Sequence, residues 1–199
     1  SQGYASGPLR IALVEARPAP RFNPDQFDPR VAAITEKSRQ LLACCGVWDA
    51  VASKRVSPYQ AMEVWDAEGT GRIQFDCHDI HQPSLGHIVE NAVLVESLMT
   101  EIADLDNIDL HCPAVITGYE TNEQGISILL EDGTPLSAQL LLAADGANSA
   151  IRKHFEFETV EWDYGHQAIV STIATERSNQ QTAWQRFMPT GPLALLPLN

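Results

Sequence analysis

The chain has 199 residues, of which 44% are hydrophobic and 20% charged, proportions that are ordinary for a globular protein. This length suits one large domain or two small ones. The formal net charge of -13 disfavours binding to nucleic-acid phosphates and offers no general attraction to anionic lipid, so we expect no nucleic-acid partner.

Membrane spans and metal sites are not expected. No run of about 18 apolar residues occurs, and residues 1–10 lack the basic region and apolar run of a signal peptide. The cysteines are Cys44, Cys45, Cys77 and Cys112. They form neither a CxxC pattern nor a Cys/His cluster at zinc spacing, so we predict reduced thiols in a cytoplasmic protein without a bound metal.

The first third of the chain predicts a strand, a loop and a helix. Residues 9–17 are a short apolar run that ends in acidic and basic residues, which is typical of a buried parallel strand. Residues 18–29 are rich in Pro, Asn and Asp and predict a loop. Apolar spacing over residues 31–51 predicts a helix that ends near Gly46.

The remainder of the chain is richer in strand patterns. Two alternating runs flank the turn Glu-Gly-Thr-Gly in residues 62–75 and predict a β-hairpin. Helical spacing of apolar residues predicts a second helix over residues 91–105. Further strand-like segments are 108–115, 116–130, 135–144, 167–175 and 183–198.

Strand and helix patterns alternate, but purely strand-like segments interrupt them twice. We therefore predict an α/β nucleotide-binding domain with a second, mostly β domain inserted into it. The nucleotide-binding domain should comprise residues 1–57 and 85–156, and the second domain residues 58–84 and 157–199.

Glu15 is a candidate cofactor-binding residue at the end of the first predicted strand. In a dinucleotide-binding unit, an acid at such a strand end accepts hydrogen bonds from ribose hydroxyls. It normally follows a Gly-x-Gly-x-x-Gly turn by about twenty residues, and this chain contains no such turn. Taken alone, Glu15 is better explained as a strand end in water.

A stronger motif is the string Ala-Asp-Gly-x-x-Ser-x-x-Arg over residues 144–152, which follows an apolar run. Asp145 can lie where the carboxyl end of a strand meets a cofactor, and Gly146 allows a phosphate to approach the backbone closely. Ser149 can cap the helix that begins here. Because a bare Asp-Gly turn is common, the inference depends on the whole string.

This string resembles the Asp-Gly fingerprint of the flavoprotein aromatic hydroxylases, the family of para-hydroxybenzoate hydroxylase. Other segments resemble the ubiquinone-biosynthesis hydroxylases, and these are residues 28–34, 42–48, 62–66, 86–91, 143–149, 162–164 and 191–198. The resemblance to the 2-octaprenylphenol hydroxylase type comes chiefly from residues 62–66, 86–91 and 162–164. The resemblance covers nearly the whole chain. It implies an α/β fold in which an incomplete FAD-binding Rossmann-like domain carries an inserted, mostly β substrate domain.

The resemblance also implies cofactor-binding roles for five residues of the predicted strands and strand ends. Glu15 resembles the ribose-binding acid, and Arg17 resembles the basic residue beside the adenosine. The main chain at Val115 resembles a strand end against the adenine. Asp145 and Gly146 match the Asp-Gly motif of the family.

Two further cofactor contacts are implied at predicted helix starts. Arg30 resembles an arginine that contacts the FAD pyrophosphate, and Asn91 resembles a polar residue that binds the same linker. Considered alone, Arg30 would be a solvated loop arginine, and Asn91 is equally well explained as a structural helix cap.

The family chemistry implies FAD as cofactor, NAD(P)H or another electron donor, and O2 as co-substrate. The implied function is an FAD-dependent monooxygenase that hydroxylates the aromatic ring of a polyprenylphenol intermediate in ubiquinone biosynthesis. No catalytic side chain is implied, because the flavin carries the chemistry. The implied partners are the polyprenylated phenol and other ubiquinone-biosynthesis proteins, with the protein cytoplasmic or in peripheral contact with the inner membrane.

Two alternatives stay open. One is a flavoprotein oxidoreductase of the same fold that acts on another aromatic substrate, and the other is a non-catalytic scaffold paralogue in the biosynthetic complex. The resemblance further implies a Gly-x-Gly-x-x-Gly turn and a later Gly-Asp string, neither of which the chain contains. We therefore expect a central fragment that is inactive and holds no FAD by itself.

Overall fold

The structure is a computed structural model and describes residues 9–198. Its strands are β1 (Ile11–Val14), β2 (Val31–Thr35), β3 (Val56–Tyr59), β4 (Ala61–Asp66), β5 (Arg72–Asp76), β6 (Gly86–Glu90), β7 (Ile108–His111), β8 (Ile116–Asn122), β9 (Gly125–Leu130), β10 (Pro135–Ala138), β11 (Thr182–Met188) and β12 (Gly191–Leu195). Its α-helices are α1 (Glu36–Cys44), α2 (Trp48–Ala52), α3 (Asn91–Ala103) and α4 (Ala150–His154), and a 3-10 helix spans Cys77–Ile80.

Contacts divide the chain into two compact units. The first unit contains residues 1–19 and 102–168, and the second contains residues 20–101 and 169–199. Within the part of the first unit that the structure describes, β1 pairs with β7 in parallel, and β8, β9 and β10 form an antiparallel meander. Ile128 and Leu130 of β9 are buried in this unit.

The strand predicted over residues 9–17 forms and is parallel, but it is not buried. Among the described residues β1 has β7 as its only strand neighbour, and Leu9 is 80% exposed. The strand predicted over residues 135–144 forms only in its first part, as β10; residues 140–144 form no strand, and Leu142 is 77% exposed. A run of this kind becomes a buried strand only when neighbours pair with both of its edges and helices cover its faces.

The second unit contains two sheets. In one, β6 pairs with β2 and with β3, both antiparallel. In the other, the hairpins β4–β5 and β11–β12 are joined by parallel pairing of β4 with β11. Tyr59, Ile88 and Ala183 form a buried cluster shared by the two sheets.

The larger core of the second unit lies where the helices pack on β6. Its buried members are Val47, Val51, Val89 and Val93. Each buried valine contributes about 1.5–3 kcal/mol to the free energy of unfolding. This core fixes the start of α3, which begins directly after β6.

The prediction of a helix over residues 31–51 is wrong for residues 31–35. Residues 31–35 form β2, because β6 offers a pairing partner and Val31 and Ile34 are β-branched. The helix α1 begins at Glu36, where the Thr35 hydroxyl accepts a hydrogen bond from the Ser38 amide. As predicted, this helix ends near Gly46: the last residue of α1 is Cys44, and Gly46 has a positive φ of 77°.

Other predictions have mixed outcomes. The hairpin predicted over residues 62–75 is confirmed by β4 and β5, and the helix predicted over 91–105 is confirmed by α3. Residues 183–198 form the hairpin β11–β12. The strand predicted over residues 167–175 is wrong, because this segment has no ladder partner among the described residues.

The predicted domain boundaries stay a prediction. Strands β1 and β4 belong to different sheets, and the segments 58–84 and 157–199 contribute to one sheet through β4, β5, β11 and β12. Contacts group residues 20–57 and 85–101 with that sheet rather than with residues 102–156. Within residues 9–198, none of the helices has the length and apolar character needed to cross a bilayer.

Candidate functional site

Glu15 lies directly after β1, in the backbone bridge between the ends of β1 and β7. Its amide donates to the His111 carbonyl at 3.0 Å, and its carbonyl accepts from the Ala114 amide at 2.8 Å. Its carboxylate Oε1 accepts from the Arg17 amide at 2.8 Å. The other oxygen, Oε2, has no hydrogen bond among the described residues and can accept from a ligand hydroxyl.

Arg17 and Val115 lie beside the same strand ends. The Arg17 guanidinium Nε is 3.9 Å from the Glu15 carboxylate, and the Arg17 carbonyl accepts from the Cys112 thiol at 3.3 Å. The Val115 carbonyl accepts from the Glu131 amide at 2.9 Å. The structure therefore brings Glu15 and Arg17 together, with the chain of residues 112–115 next to both.

Asp145 organises the turn before α4. Its Oδ1 accepts from the Ser149 hydroxyl at 2.5 Å, and its Oδ2 accepts from the amides of Ala150 at 2.8 Å and Ile151 at 3.3 Å. The Ser149 hydroxyl in turn accepts from the Arg152 amide at 2.9 Å, so the predicted cap is confirmed. The hydrogen bond from Ser149, together with those from the backbone amides, holds the pKa of Asp145 below its usual range.

Gly146 presents open backbone next to this carboxylate. Its φ is +81°, a conformation that favours glycine, and no heavy atom lies within 4 Å of the position that a Cβ would take. Its carbonyl accepts from the Ser149 amide at 3.1 Å. The turn at residues 145–149 is thus held rigidly while its backbone stays accessible to a ligand.

Arg30 and Asn91 lie together in the second unit. The Asn91 amide donates to the Arg30 carbonyl at 2.8 Å. Arg30 precedes a strand, β2, which corrects the prediction that it opens a helix. Its guanidinium is exposed and makes no ion pair or hydrogen bond among residues 9–198.

Asn91 opens α3 as predicted, but the helix is capped by another residue. Asp28 Oδ2 accepts from the Ala92 amide at 3.1 Å, and the Asn91 side chain makes no hydrogen bond within the described part of the chain. The side chain of Asn91 is therefore free to contact a ligand, since Asp28 already satisfies an amide of the first helical turn.

The sequence analysis singled out none of Asp28, Arg55 and Glu90. Glu90 is 1% exposed and forms an ion pair with Arg55, whose Nε lies 2.5 Å from Oε1. In the sequence, Glu90 is a lone carboxylate directly before an apolar helix. A buried carboxylate needs a partner, but the sequence pattern does not identify Arg55 as that partner.

The predicted cofactor-binding residues form three local groups. These are Glu15, Arg17 and Val115; Asp145 and Gly146; and Arg30 and Asn91. The first two groups belong to the first unit and the third to the second unit. That all seven residues contact one cofactor stays a prediction.

Two other groups of side chains lie outside these three groups. Asp76, Cys77 and His78 offer ligand atoms that lie within 4.8 Å of one another, but the Asp76 carboxylate already contacts His78 Nδ1 at 2.6 Å. Trp184 packs edge-on against Trp65, with ring centroids 6.2 Å apart. All four cysteines are free.

Comparisons with known proteins show which proteins this chain is similar to. No model of a known protein family matches the chain. The chain is 36% identical over 202 residues to ubiquinone biosynthesis monooxygenase COQ6, mitochondrial, of Xenopus tropicalis, with 96% of this chain and 43% of the relative covered. It is 33% identical over 197 residues to 3-demethoxyubiquinol 3-hydroxylase of Escherichia coli (strain K12), with 98% and 50% covered.

The chain is similar to ubiquinone-biosynthesis monooxygenases over nearly its whole length. The family resemblance inferred from the sequence is thereby confirmed. The chain spans about half the length of the curated relatives it matches, 43% and 50% of the two above.

A solved structure supports the fold assignment of this chain. Klebsiella pneumoniae HpxO complexed with FAD and uric acid is similar with a TM-score of 0.62 and 15% identity, covering 100% of this chain and 56% of that one. At this identity the likeness concerns the fold alone. It confirms the predicted α/β class with a Rossmann-like nucleotide-binding part.

Proposed function

We propose that the whole protein is an FAD-dependent monooxygenase that hydroxylates the aromatic ring of a polyprenylphenol intermediate in ubiquinone biosynthesis. The observation that carries this proposal is the similarity to two ubiquinone-biosynthesis enzymes over 96% and 98% of the chain. The names of both relatives describe an oxygenation or hydroxylation, which favours hydroxylation over a simple oxidation or reduction.

The residues of the first unit fit an adenine dinucleotide. Glu15 Oε2 lacks a partner among the described residues and can accept from ribose hydroxyls, as an acid at a strand end does in dinucleotide-binding units. The open backbone at Gly146 lets a ligand approach without meeting a side chain. Asp145 contributes by holding the turn, because Ser149, Ala150 and Ile151 already donate to its carboxylate.

The residues of the second unit fit the anionic linker of the same cofactor. The exposed Arg30 guanidinium can donate two parallel hydrogen bonds to a phosphate. Asn91 presents an amide side chain without an internal partner in the described chain. When bound, FAD would supply the oxygen-transfer chemistry, with NAD(P)H or another donor as the electron source and O2 as co-substrate.

The substrate class is a prenylated phenol. The E. coli relative is named for hydroxylation of demethoxyubiquinol, and segments 62–66, 86–91 and 162–164 indicate the 2-octaprenylphenol type. We place the protein with other ubiquinone-biosynthesis proteins, in the cytoplasm or in peripheral contact with the inner membrane. Such a location would give it access to a substrate with an apolar tail.

The experiment that tests this function uses the purified full-length protein with FAD, NADPH or a reduced donor protein, isotopically labelled O2 and a short-chain prenylphenol. Mass spectrometry should find one labelled oxygen atom in the ring of the product. Bound FAD with donor oxidation but no labelled ring would instead indicate a flavoprotein oxidoreductase. A protein that takes up no FAD would indicate a scaffold paralogue.

A further inference from the structure

We infer that Arg55 and Glu90 are positioning residues for the cofactor, because together they hold the 22–28 loop and, through it, Arg30 and Asn91. This inference rests on the proposed function and deepens it. Neither residue lies in the Asp-Gly motif or at a predicted cofactor contact. The assignment comes from a chain of hydrogen bonds within the second unit.

The centre of this network is the ion pair between Arg55 and Glu90. Arg55 Nε donates to Glu90 Oε1 at 2.5 Å, and Arg55 Nη2 donates to Oε2 at 3.1 Å. The Glu90 side chain is 2% exposed and that of Arg55 17% exposed. This contact raises the pKa of Arg55 and keeps it charged. Because desolvation offsets much of the attraction in a buried pair, stability alone is a weak explanation for it.

Arg55 also holds the backbone of the 22–28 loop. Its Nη1 donates to the Pro24 carbonyl at 2.9 Å, and its Nη2 donates to the carbonyls of Gln26 at 2.8 Å and Asn23 at 3.2 Å. Its guanidinium carbon lies 4.0 Å from the centroid of the Phe27 ring and 5.1 Å from that of Phe22. A planar group with this many donors can order an irregular loop in a way that a lysine cannot.

Glu90 extends the network to the end of the loop. Its Oε2 accepts from the Asp28 amide at 2.6 Å. The Asp28 carboxylate then bridges two backbone amides, with Oδ1 accepting from Arg30 at 2.9 Å and Oδ2 accepting from Ala92 at 3.1 Å. The Asp28 carboxylate, whose own backbone amide donates to buried Glu90, therefore holds both the Arg30 backbone and the start of α3.

The geometry separates positioning from direct binding. The donors of Arg55 point to Glu90 and to three loop carbonyls, and two aromatic rings lie against its guanidinium. By contrast, the guanidinium of Arg30 is exposed and without an internal partner among residues 9–198. Arg55 thus acts on the cofactor through Arg30, since a displacement of about 1 Å in a ligand contact is enough to lower affinity strongly.

The test measures FAD affinity of the full-length apoprotein by flavin fluorescence, well below the melting temperature of each variant. Arg55→Lys keeps the charge opposite Glu90 but cannot donate to three loop carbonyls. We expect it to raise the Kd for FAD by about tenfold to a hundredfold. Arg55→Met/Glu90→Leu removes both charges, avoids an unpaired buried carboxylate, and should show the same loss.

The matched control is Arg39→Met. Arg39 forms a two-contact ion pair with Glu36, at 2.8 and 2.7 Å, but in the described part of the chain it makes no hydrogen bond to the 22–28 loop. This variant should change the Kd for FAD less than twofold. The increase in the Kd for FAD caused by Arg30→Ala combined with Arg55→Lys should be smaller than the product of the two single increases, because both changes act on one contact.

The possible outcomes distinguish failure of the proposed function from failure of this inference. A wild-type protein that takes up no FAD overturns both the proposed function and this inference. A wild-type protein that binds FAD, with a folded Arg55→Lys variant that binds it equally well, overturns this inference alone. Effects of Arg30→Ala and Arg55→Lys that multiply independently would also overturn it, since Arg55 would then not act through Arg30.

Discussion

Asp145 and Ser149 share a hydrogen bond of 2.5 Å between carboxylate and hydroxyl, and this contact defines the turn from which Gly146 presents its backbone. The aspartate of the Asp-Gly motif is therefore a group that shapes the motif. Its oxygens accept hydrogen bonds from the Ser149 hydroxyl and from two backbone amides of α4. The motif depends on Asp145 because removing this carboxylate takes away an acceptor from the Ser149 hydroxyl and from both amides.

Asp145→Ala should lower the free energy of unfolding by about 1–2 kcal/mol, which is the typical cost of losing a helix-capping side chain. The reason is that Ser149, Ala150 and Ile151 all donate to this carboxylate. Urea denaturation of the full-length protein measures the change. Asn148→Ala in the same exposed turn is the control and should leave stability unaltered, and equal losses in both variants would contradict the assigned role.

The stability contributed by Asp145 should depend on pH. Its pKa is held below the ordinary value of 3.8, first by the Ser149 hydrogen bond. A carboxyl group with a lowered folded-state pKa stabilises the protein above its unfolded-state pKa, and this stability is lost as the pH falls through the folded-state value. The stability difference between wild type and Asp145→Asn should thus be constant near neutral pH and shrink below about pH 4. A stability difference between the two proteins that increased on acidification would contradict this prediction.

Gly146→Ala should affect stability and cofactor binding separately. Gly146 and Gly133 have φ of +81° and +86°, and nothing lies within 4 Å of either Cβ position. Alanine at either position should lower the free energy of unfolding by about 1 kcal/mol, because a left-handed backbone is unfavourable for alanine. Only Gly146→Ala should raise the Kd for FAD as well, by about tenfold, if the cofactor approaches that backbone.

Gly133→Ala is the matched control in this pair, because its backbone conformation and open surroundings are nearly the same. Thermal melts give the stability change, and flavin fluorescence gives the Kd. Identical Kd values for the two variants would remove Gly146 from the proposed cofactor site.

Glu15→Gln should weaken FAD binding without unfolding the first unit. A neutral amide is a poorer acceptor for ribose hydroxyls than a carboxylate, and hydrogen bonds to charged groups contribute about 1.5–3 kcal/mol. The Kd for FAD should therefore rise by about tenfold or more, at an unchanged melting temperature of the apoprotein. Glu120→Gln, an exposed carboxylate on β8, is the control. Equal affinities in both variants would exclude Glu15 as a ribose contact.

Several features of this protein could be predicted from local sequence. The Glu-Gly-Thr-Gly turn between alternating runs predicted the hairpin of β4 and β5, and apolar spacing predicted α3. Ser149 was predicted as the cap before α4, and it is. These outcomes depend on interactions between residues that are near one another along the chain, so the sequence pattern contains most of the information.

Tertiary structure decided the features that depend on distant partners. Residues 31–35 have a helix-compatible pattern, yet they form β2 because β6, more than fifty residues later, supplies the pairing edge. The apolar run 140–144 has a strand pattern but no partner among the described residues, and it forms no strand. Strand formation needs hydrogen bonds to another segment, which the pattern of one segment cannot specify.

The same reason separates the family motif from the residues that hold it in place. The Asp-Gly string indicated the flavoprotein aromatic hydroxylases, because its residues are close along the chain and form one turn. The pair of Arg55 and Glu90 could not be read from the sequence, because the two residues are 35 positions apart and meet only after β6 and the 22–28 loop have packed. The sequence thus determined the fold class and the family resemblance. The packed structure determined that Arg55 and Glu90 form a buried ion pair, since a buried charge is stable only where the fold provides its partner.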